Sequence, residues 1–279
     1  MIVDAHQHVW DPAAADYPWL TEDLTVLNRV FDQPDVAPEL RAAGIDQTVL
    51  VQAADNVEDT ENMFRVAERN ERIAGVVGWV PLHEPDAAAA LLDSWAERPV
   101  VGARHMVHRE PDPDWLGRPA VAAGLRLLGE RGLPFDVCAE TPELLAKVPA
   151  LAAAHPDLTL VIDHLGKPPI RGRGWQPWAD LLRRAAAAPN VVAKVSGLNT
   201  AAEDAWTAAS FQRYVDHAVD VFGPDRLMYG GDWPFALLAA TSYTQLHAGL
   251  VTTLGGLDQP ALDAVMGGTA ERIYHLRRD

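Results

Sequence analysis

The chain has 279 residues, 48% of them hydrophobic, with a formal net charge of −16 and a pI near 4.9. Such an acidic balance argues against nucleic acid or anionic membrane as a partner, and no apolar run is long enough to span a bilayer. The single Cys138 excludes an intrachain disulfide framework, fits a reducing cytoplasm, and reads as a buried, inert thiol. No basic segment precedes an apolar stretch at the N-terminus, so no signal peptide is expected. With no linker or low-complexity tract to divide it, the chain reads as one domain over residues 1–279. Nothing in the sequence speaks to its oligomeric state.

The first predicted strand is IVDAHQHVW (2–10). Side chains alternate along a strand, so Asp4, His6 and His8 are expected on one face with Ile2. Burying a carboxylate and two imidazoles costs free energy unless they are paired, hydrogen-bonded or bound to a metal. A long polar and aromatic stretch follows, residues 11–34, in which Tyr17 and Trp19 either cap a pocket or pack on a rim. Stretches of that length in compact domains are often functional. PELRAAG (38–44) then reads as a helix stopped by Gly44.

Further short apolar runs follow: QTVLVQAA (47–54), IAGVVGWVPL (73–82), VVGARHMVH (100–108), PFDVCAE (134–140), LTLVIDHLGK (158–167), NVVAKVSGL (190–198) and RLMYGGDWP (226–234). Near-continuous Val, Ile and Leu suits strands buried on both faces of a parallel sheet. Helical segments lie between them, among them 117–132, 141–156 and 178–188. Thr141 is the expected N-cap of the second, with Pro142 at its first position and Pro149 inside it as a stop or kink. Eight β/α units in this length predict a TIM (β/α)8 barrel, distorted by the long loop after strand 1. A doubly wound sheet is the alternative, but no Gly-rich phosphate turn follows the first strand.

Barrel active sites sit at the C-terminal ends of the strands. Those ends are polar here: His6 and His8, Gln52, Trp79 and His83, Arg104, His105 and His108, Asp163, His164 and Lys167, Lys194, Ser196 and Asn199, then Asp232 and Trp233. Their convergence on one rim predicts an active site. His83, His108, His155, His217, His247 and His275 read as surface or capping residues. Asp163 has the opposite strand parity to His164, so it is expected to face the helices or pair locally. Trp79 and Trp233 either stack on a sugar ring or pack in the core.

The motifs VDAHQHVWDP, IDHLGKP, KVSGL and YGGDWP, in that order, resemble the amidohydrolase superfamily, and within it the metal-poor lactonase branch of sugar-lactone and 2-pyrone-4,6-dicarboxylate hydrolases. The resemblance implies that Asp232 is the general base on the attacking water. It places His164 near the attacked carbonyl and makes His6 and His8 either metal ligands or direct polarisers of that carbonyl. It makes Arg104 a substrate contact. His105, Lys194, Trp79 and Trp233 are expected substrate contacts by position. The chemistry stands without the family: ester hydrolysis needs a base for water and donors for the developing oxyanion. Metal-dependent relatives usually add a Lys or Glu on strand 4 and a His on strand 5. Strand 5 here has no histidine, so a binuclear site is not expected. One divalent ion, zinc by its chemistry, on His6, His8 and Asp232 remains an option, as does no metal at all. The expected activity is opening of a sugar-derived lactone. The alternatives are a metal-dependent decarboxylase or a non-catalytic binding barrel.

Overall fold

The computed structural model describes residues 1–203 and 205–276. Eight parallel strands follow one another around a single sheet: β1 (Val3–Gln7), β2 (Gln47–Val51), β3 (Ile73–Gly78), β4 (Val100–His105), β5 (Phe135–Val137), β6 (Leu160–Ile162), β7 (Val191–Val195) and β8 (Leu227–Tyr229). Between and after them lie α1 (Gln33–Ala42), α2 (Val57–Ala67), α3 (Pro85–Ser94), α4 (Pro119–Glu130), α5 (Pro142–Ala154), α6 (Trp178–Ala186), α7 (Ala208–Phe222), α8 (Tyr243–Leu254), α9 (Gln259–Asp263) and α10 (Thr269–Ile273). This is the expected TIM barrel. It closes just beyond β8, where Gln7 bridges Trp233. There the Asp232 N–H donates to the His6 carbonyl and the His8 N–H to the Trp233 carbonyl, both at 2.7 Å. No helix among the described residues is long and apolar enough to cross a membrane.

Alternate strand positions feed two apolar layers. Val3, Ala5, Val49, Val51, Val77, Val161, Val192 and Met228 point into the barrel, where Ala270, Ile273 and Tyr274 of the C-terminal segment pack on them. Leu50, Val76, Phe135, Ile162, Val195 and Tyr229 face outward under the helices.

Two helix boundaries differ from expectation. Helix α1 begins before Pro38, because Asp32 caps it and the Asp32 N–H donates to the Asp35 carboxylate at 2.9 Å. Helix α5 starts as expected, with Thr141 accepting from the Leu144 N–H, but runs through Pro149 to Ala154.

The facing of strand 1 also needs correction. Against β2, Asp4 pairs with Thr48 and Gln7 with Leu50, so three steps on β1 match two on β2. That bulge inserts one residue and reverses the parity. Asp4 therefore turns outward, away from His6 and His8. Its carboxylate accepts from the Gly231 N–H at 2.8 Å, the His6 N–H at 3.0 Å and the Tyr243 hydroxyl at 2.9 Å. It ties β1 to the end of β8 and to α8.

Candidate active site

His6 and His8 enter the barrel mouth just past the bulge, with their Nε2 atoms 3.1 Å apart. Asp232 meets them from the end of β8. Its Oδ1 lies 3.5 Å from His8 Nε2, 3.8 Å from His6 Nε2 and 4.0 Å from His164 Nε2. All four side chains are buried. The backbone bends hard to bring them together. Asp232 has φ 51°, and His164, Leu165 and Lys167 have φ of 53°, 52° and 50°. Non-glycine residues in this left-handed region are costly, and such strain gathers at functional sites. Gly197, φ 58°, supplies the clearance: a Cβ there would sit 2.6 Å from His164 Nδ1 and 2.8 Å from Asp232 Oδ2.

Below this group lies a buried ionic layer. Asp163 continues the inward parity of Val161, and the left-handed turn after it swings His164 in as well. The expectation that Asp163 faces the helices is therefore corrected. Asp163 accepts from Arg104 Nη1 at 3.0 Å, and its Oδ1 stands 3.2 Å from His6 Nδ1. Lys194, fully buried on β7, donates to Asp136 at 2.5 Å and contacts His6 Nδ1 at 3.1 Å. Asp136 also accepts the Tyr274 hydroxyl at 2.8 Å. Its partner role was not legible in PFDVCAE. The available signal was one charge in the middle of an apolar strand, matched by the lysine in VVAKV.

Burial pulls His6, His8 and His164 below the usual imidazole value, so they are neutral at pH 7. Burial also opposes charge on Asp232, but the imidazoles of His164, His8 and His6 outweigh it and hold this carboxyl well below the usual range. Asp163 likewise stays ionised, because Lys194, His6 and Arg104 outweigh its burial. The result is a permanent carboxylate ringed by neutral imidazoles. His164 is oriented by Ser196, whose Oγ lies 2.8 Å from Nδ1. Arg104 is steered by its bond to the Gln52 carbonyl at 2.6 Å.

Asp232, His8, His164 and Arg104 open onto a cavity of about 200 Å³, at the small end of the ~300–1,000 Å³ common for ligand sites. Trp19, Met106, Phe235 and Leu238 form an apolar wall, and His108, Glu140, Lys167 and Thr200 are among the polar groups lining the rest. Trp19 is thus a pocket residue of the long loop, anchored by its Nε1 on the Ala53 carbonyl at 2.6 Å. His108 is exposed, as expected of a surface residue, and also lines the cavity. His105, Lys194, Trp79 and Trp233 do not line it. Trp79 donates to His105 Nδ1 at 3.0 Å, and His105 Nε2 lies 2.7 Å from Glu110. That pair braces the segment leading to His108. Trp233 is buried against Phe31, and Lys194 lies one layer down.

The residues present fit one divalent ion. His6, His8 and Asp232 bring ligand atoms to separations of 3.1, 3.5 and 3.8 Å; tetrahedral ligands on Zn²⁺ at about 2.0–2.1 Å stand roughly 3.3 Å apart. His8 Nδ1 is 2.7 Å from the Val51 carbonyl, so that nitrogen carries the hydrogen and Nε2 presents its lone pair. Asp163 Oδ1 is buried with no hydrogen-bond partner and faces His6 Nδ1, as a supporting carboxylate should. A second grouping, His6, Asp163 and His164, is less apt, since Asp163 is already held by Arg104.

The amidohydrolase family model matches residues 3–276. An L-fucono-1,5-lactonase of Burkholderia ambifaria is 36% identical over 237 residues, covering 85% of this chain and 81% of the relative. Another, from Burkholderia multivorans, is 36% identical, covering 98% and 96%. A crystal structure of an amidohydrolase from Burkholderia multivorans with bound zinc superposes with a TM-score of 0.90 at 33% identity, covering 99% of this chain and 100% of that one. This chain belongs to the amidohydrolase family.

Proposed function

We propose that the protein hydrolyses a sugar-derived lactone, with Asp232 as general base. The observation that carries the reading is one ionised carboxylate held among three neutral imidazoles at the floor of a small cavity. A water beside Asp232 Oδ1 gives up its proton to that carboxylate as it attacks the ester carbon. His164 and Arg104 line the same cavity and donate toward the carbonyl oxygen as charge develops on it. Trp19 and Phe235 keep bulk water off one side. His6, His8 and Asp232 would hold a single divalent ion, zinc by ligand type, which when bound polarises an ester carbonyl and acidifies water. We read activity as weakly dependent on that ion or independent of it, because Asp232 and Arg104 already supply base and donor.

The substrate we favour is a neutral aldonolactone over a dicarboxylated pyrone. The charge of Arg104 is balanced by Asp163, and the remaining cations of the cavity, Arg109 and Lys167, share it with Glu140 and Asp232. The lactonase relatives support the same class. Residues 1–279 form one catalytic domain on this reading, with a small-molecule partner and a cytoplasmic location. A panel of aldonolactones, a pyrone dicarboxylate and hydroxybenzoates, followed by a pH indicator and by CO₂ release, tests it. Acid release highest on aldonolactones is expected. CO₂ release would replace the reading with a decarboxylase, and turnover of nothing on the panel with a binding barrel.

A further inference from the structure

We propose that Lys194 and Asp163 form a tautomer switch for His6. Lys194 holds the ring in its Nε2–H form when no metal is bound, and Asp163 takes the Nδ1–H form when a divalent ion occupies the site. The inference concerns the ring's surroundings and does not depend on which ester is cleaved.

Two groups of opposite hydrogen-bonding sense face the same nitrogen. Lys194 Nζ lies 3.1 Å from His6 Nδ1 and Asp163 Oδ1 lies 3.2 Å from it. An ammonium only donates and a carboxylate only accepts. They cannot both be satisfied by one tautomer of a neutral ring. With the hydrogen on Nε2, an unbroken chain forms: Lys194 donates to His6 Nδ1, His6 Nε2 donates to His8 Nε2 at 3.1 Å, and His8 Nδ1 donates to the Val51 carbonyl at 2.7 Å. Every nitrogen of both rings is then paired without a metal, the Arg104 Nη1 donor standing farther from His6 Nε2, at 3.4 Å, than His8 does. The cost is visible in the structure, where Asp163 Oδ1 is buried and lacks a hydrogen-bond partner.

A divalent ion reverses the preference. It needs the lone pair of His6 Nε2, so the hydrogen must leave that atom. One proton departs from Nε2 and one arrives on Nδ1, leaving the ring neutral. The new Nδ1–H points at the carboxylate oxygen that lacked a hydrogen bond. Lys194 keeps Asp136 at 2.5 Å and stays within 3.3 Å of Asp163 Oδ1. Lys194 and Asp163 are thus positioning residues: neither lines the cavity, yet together they keep His6 ordered whether or not a metal is present.

The test is nitrogen NMR of the protein with ¹⁵N-labelled histidine, first stripped of metal by a chelator and then with one equivalent of Zn²⁺. The pattern of ring shifts reports which nitrogen carries hydrogen. The expected result is Nε2–H for His6 without metal and Nδ1–H with zinc, while His8 stays Nδ1–H throughout. The same His6 tautomer in both states, or ring signals of His6 and His8 that ignore zinc, would overturn the proposal. Calorimetric titration with Zn²⁺ adds a second readout. Asp163→Asn should weaken zinc binding by about 10–100-fold, the usual effect of losing such a supporting carboxylate, and keep His6 as Nε2–H. Unchanged zinc affinity in a folded Asn variant would count against the switch. If that variant does not fold, the wild-type spectra decide alone.

Discussion

The barrel interior has two storeys built on the same strands. The lower one, around Val3, Ala5, Val49, Val51, Val77, Val161, Val192 and Met228, is an apolar layer sealed by Ala270, Ile273 and Tyr274. The upper one holds Arg104, Asp136, Asp163 and Lys194, with His6 above them, all buried. β7 shows the change within two residues: Val192 belongs to the lower storey and Lys194 to the upper. The lower storey gains stability from removing hydrocarbon from water, a force without direction that many side chains can supply. The upper storey keeps charges out of water only because each has partners, so its stability depends on identity and geometry. Tyr274 joins the two, packing below while its hydroxyl donates to Asp136.

Substitutions can break that contrast, and the largest expected effect is on chemistry. Asp232→Asn should lower kcat by about 10²–10⁴-fold on the best lactone while the melting temperature holds. Steady-state kinetics beside a thermal melt checks this, and near-normal kcat in a folded variant refutes the assignment. Lys194→Met should cost about 3–5 kcal/mol of stability, because it leaves Asp136 buried without its cation. Denaturant unfolding measures the loss, and adding Asp136→Leu should recover a large part of it. Met228→Ala in the lower storey should cost about 2–5 kcal/mol through the cavity it opens, with KM and kcat nearly unchanged. Equal loss of activity there would mean the storeys are not functionally separate.

The smallest effect concerns pH. Burial pushes the Asp4 carboxyl up to about 6, despite bonds from Gly231, His6 and Tyr243. A carboxyl whose folded value is raised adds stability in acid and loses it as pH climbs through that value. Asp4→Asn should therefore be most destabilising, relative to wild type, near pH 4. Its deficit should shrink by about 1–3 kcal/mol by pH 7. Melts of both proteins across that range check the sign, and a deficit that grows with pH would contradict it.

Much of this was legible in the sequence. Alternating apolar runs and helical segments revealed eight β/α units, since burial on both faces leaves a readable hydrophobic signature. The motifs around His6, His8, His164 and Asp232 also stood out, because polar groups at strand ends contrast with their neighbours. Local spacing failed at Asp4 and Asp163. A bulge in β1 reversed one parity, and a left-handed turn after Ile162 brought two successive residues inward. His108 is exposed as its surface reading expected, but a lone histidine after a strand carries no mark of the cavity it lines.

What the sequence determined by itself is the barrel, its order of elements and the side chains at its mouth, because hydrophobic periodicity and residue chemistry are local properties of the chain. Tertiary structure alone decided which of those side chains meet. The pairing of Asp136 with Lys194 spans 58 positions, and that of Lys194 with His6 spans 188. Such contacts are set by strand register, by bulges and by backbone forced to positive φ, where one residue's shift changes the face that a carboxylate or imidazole presents.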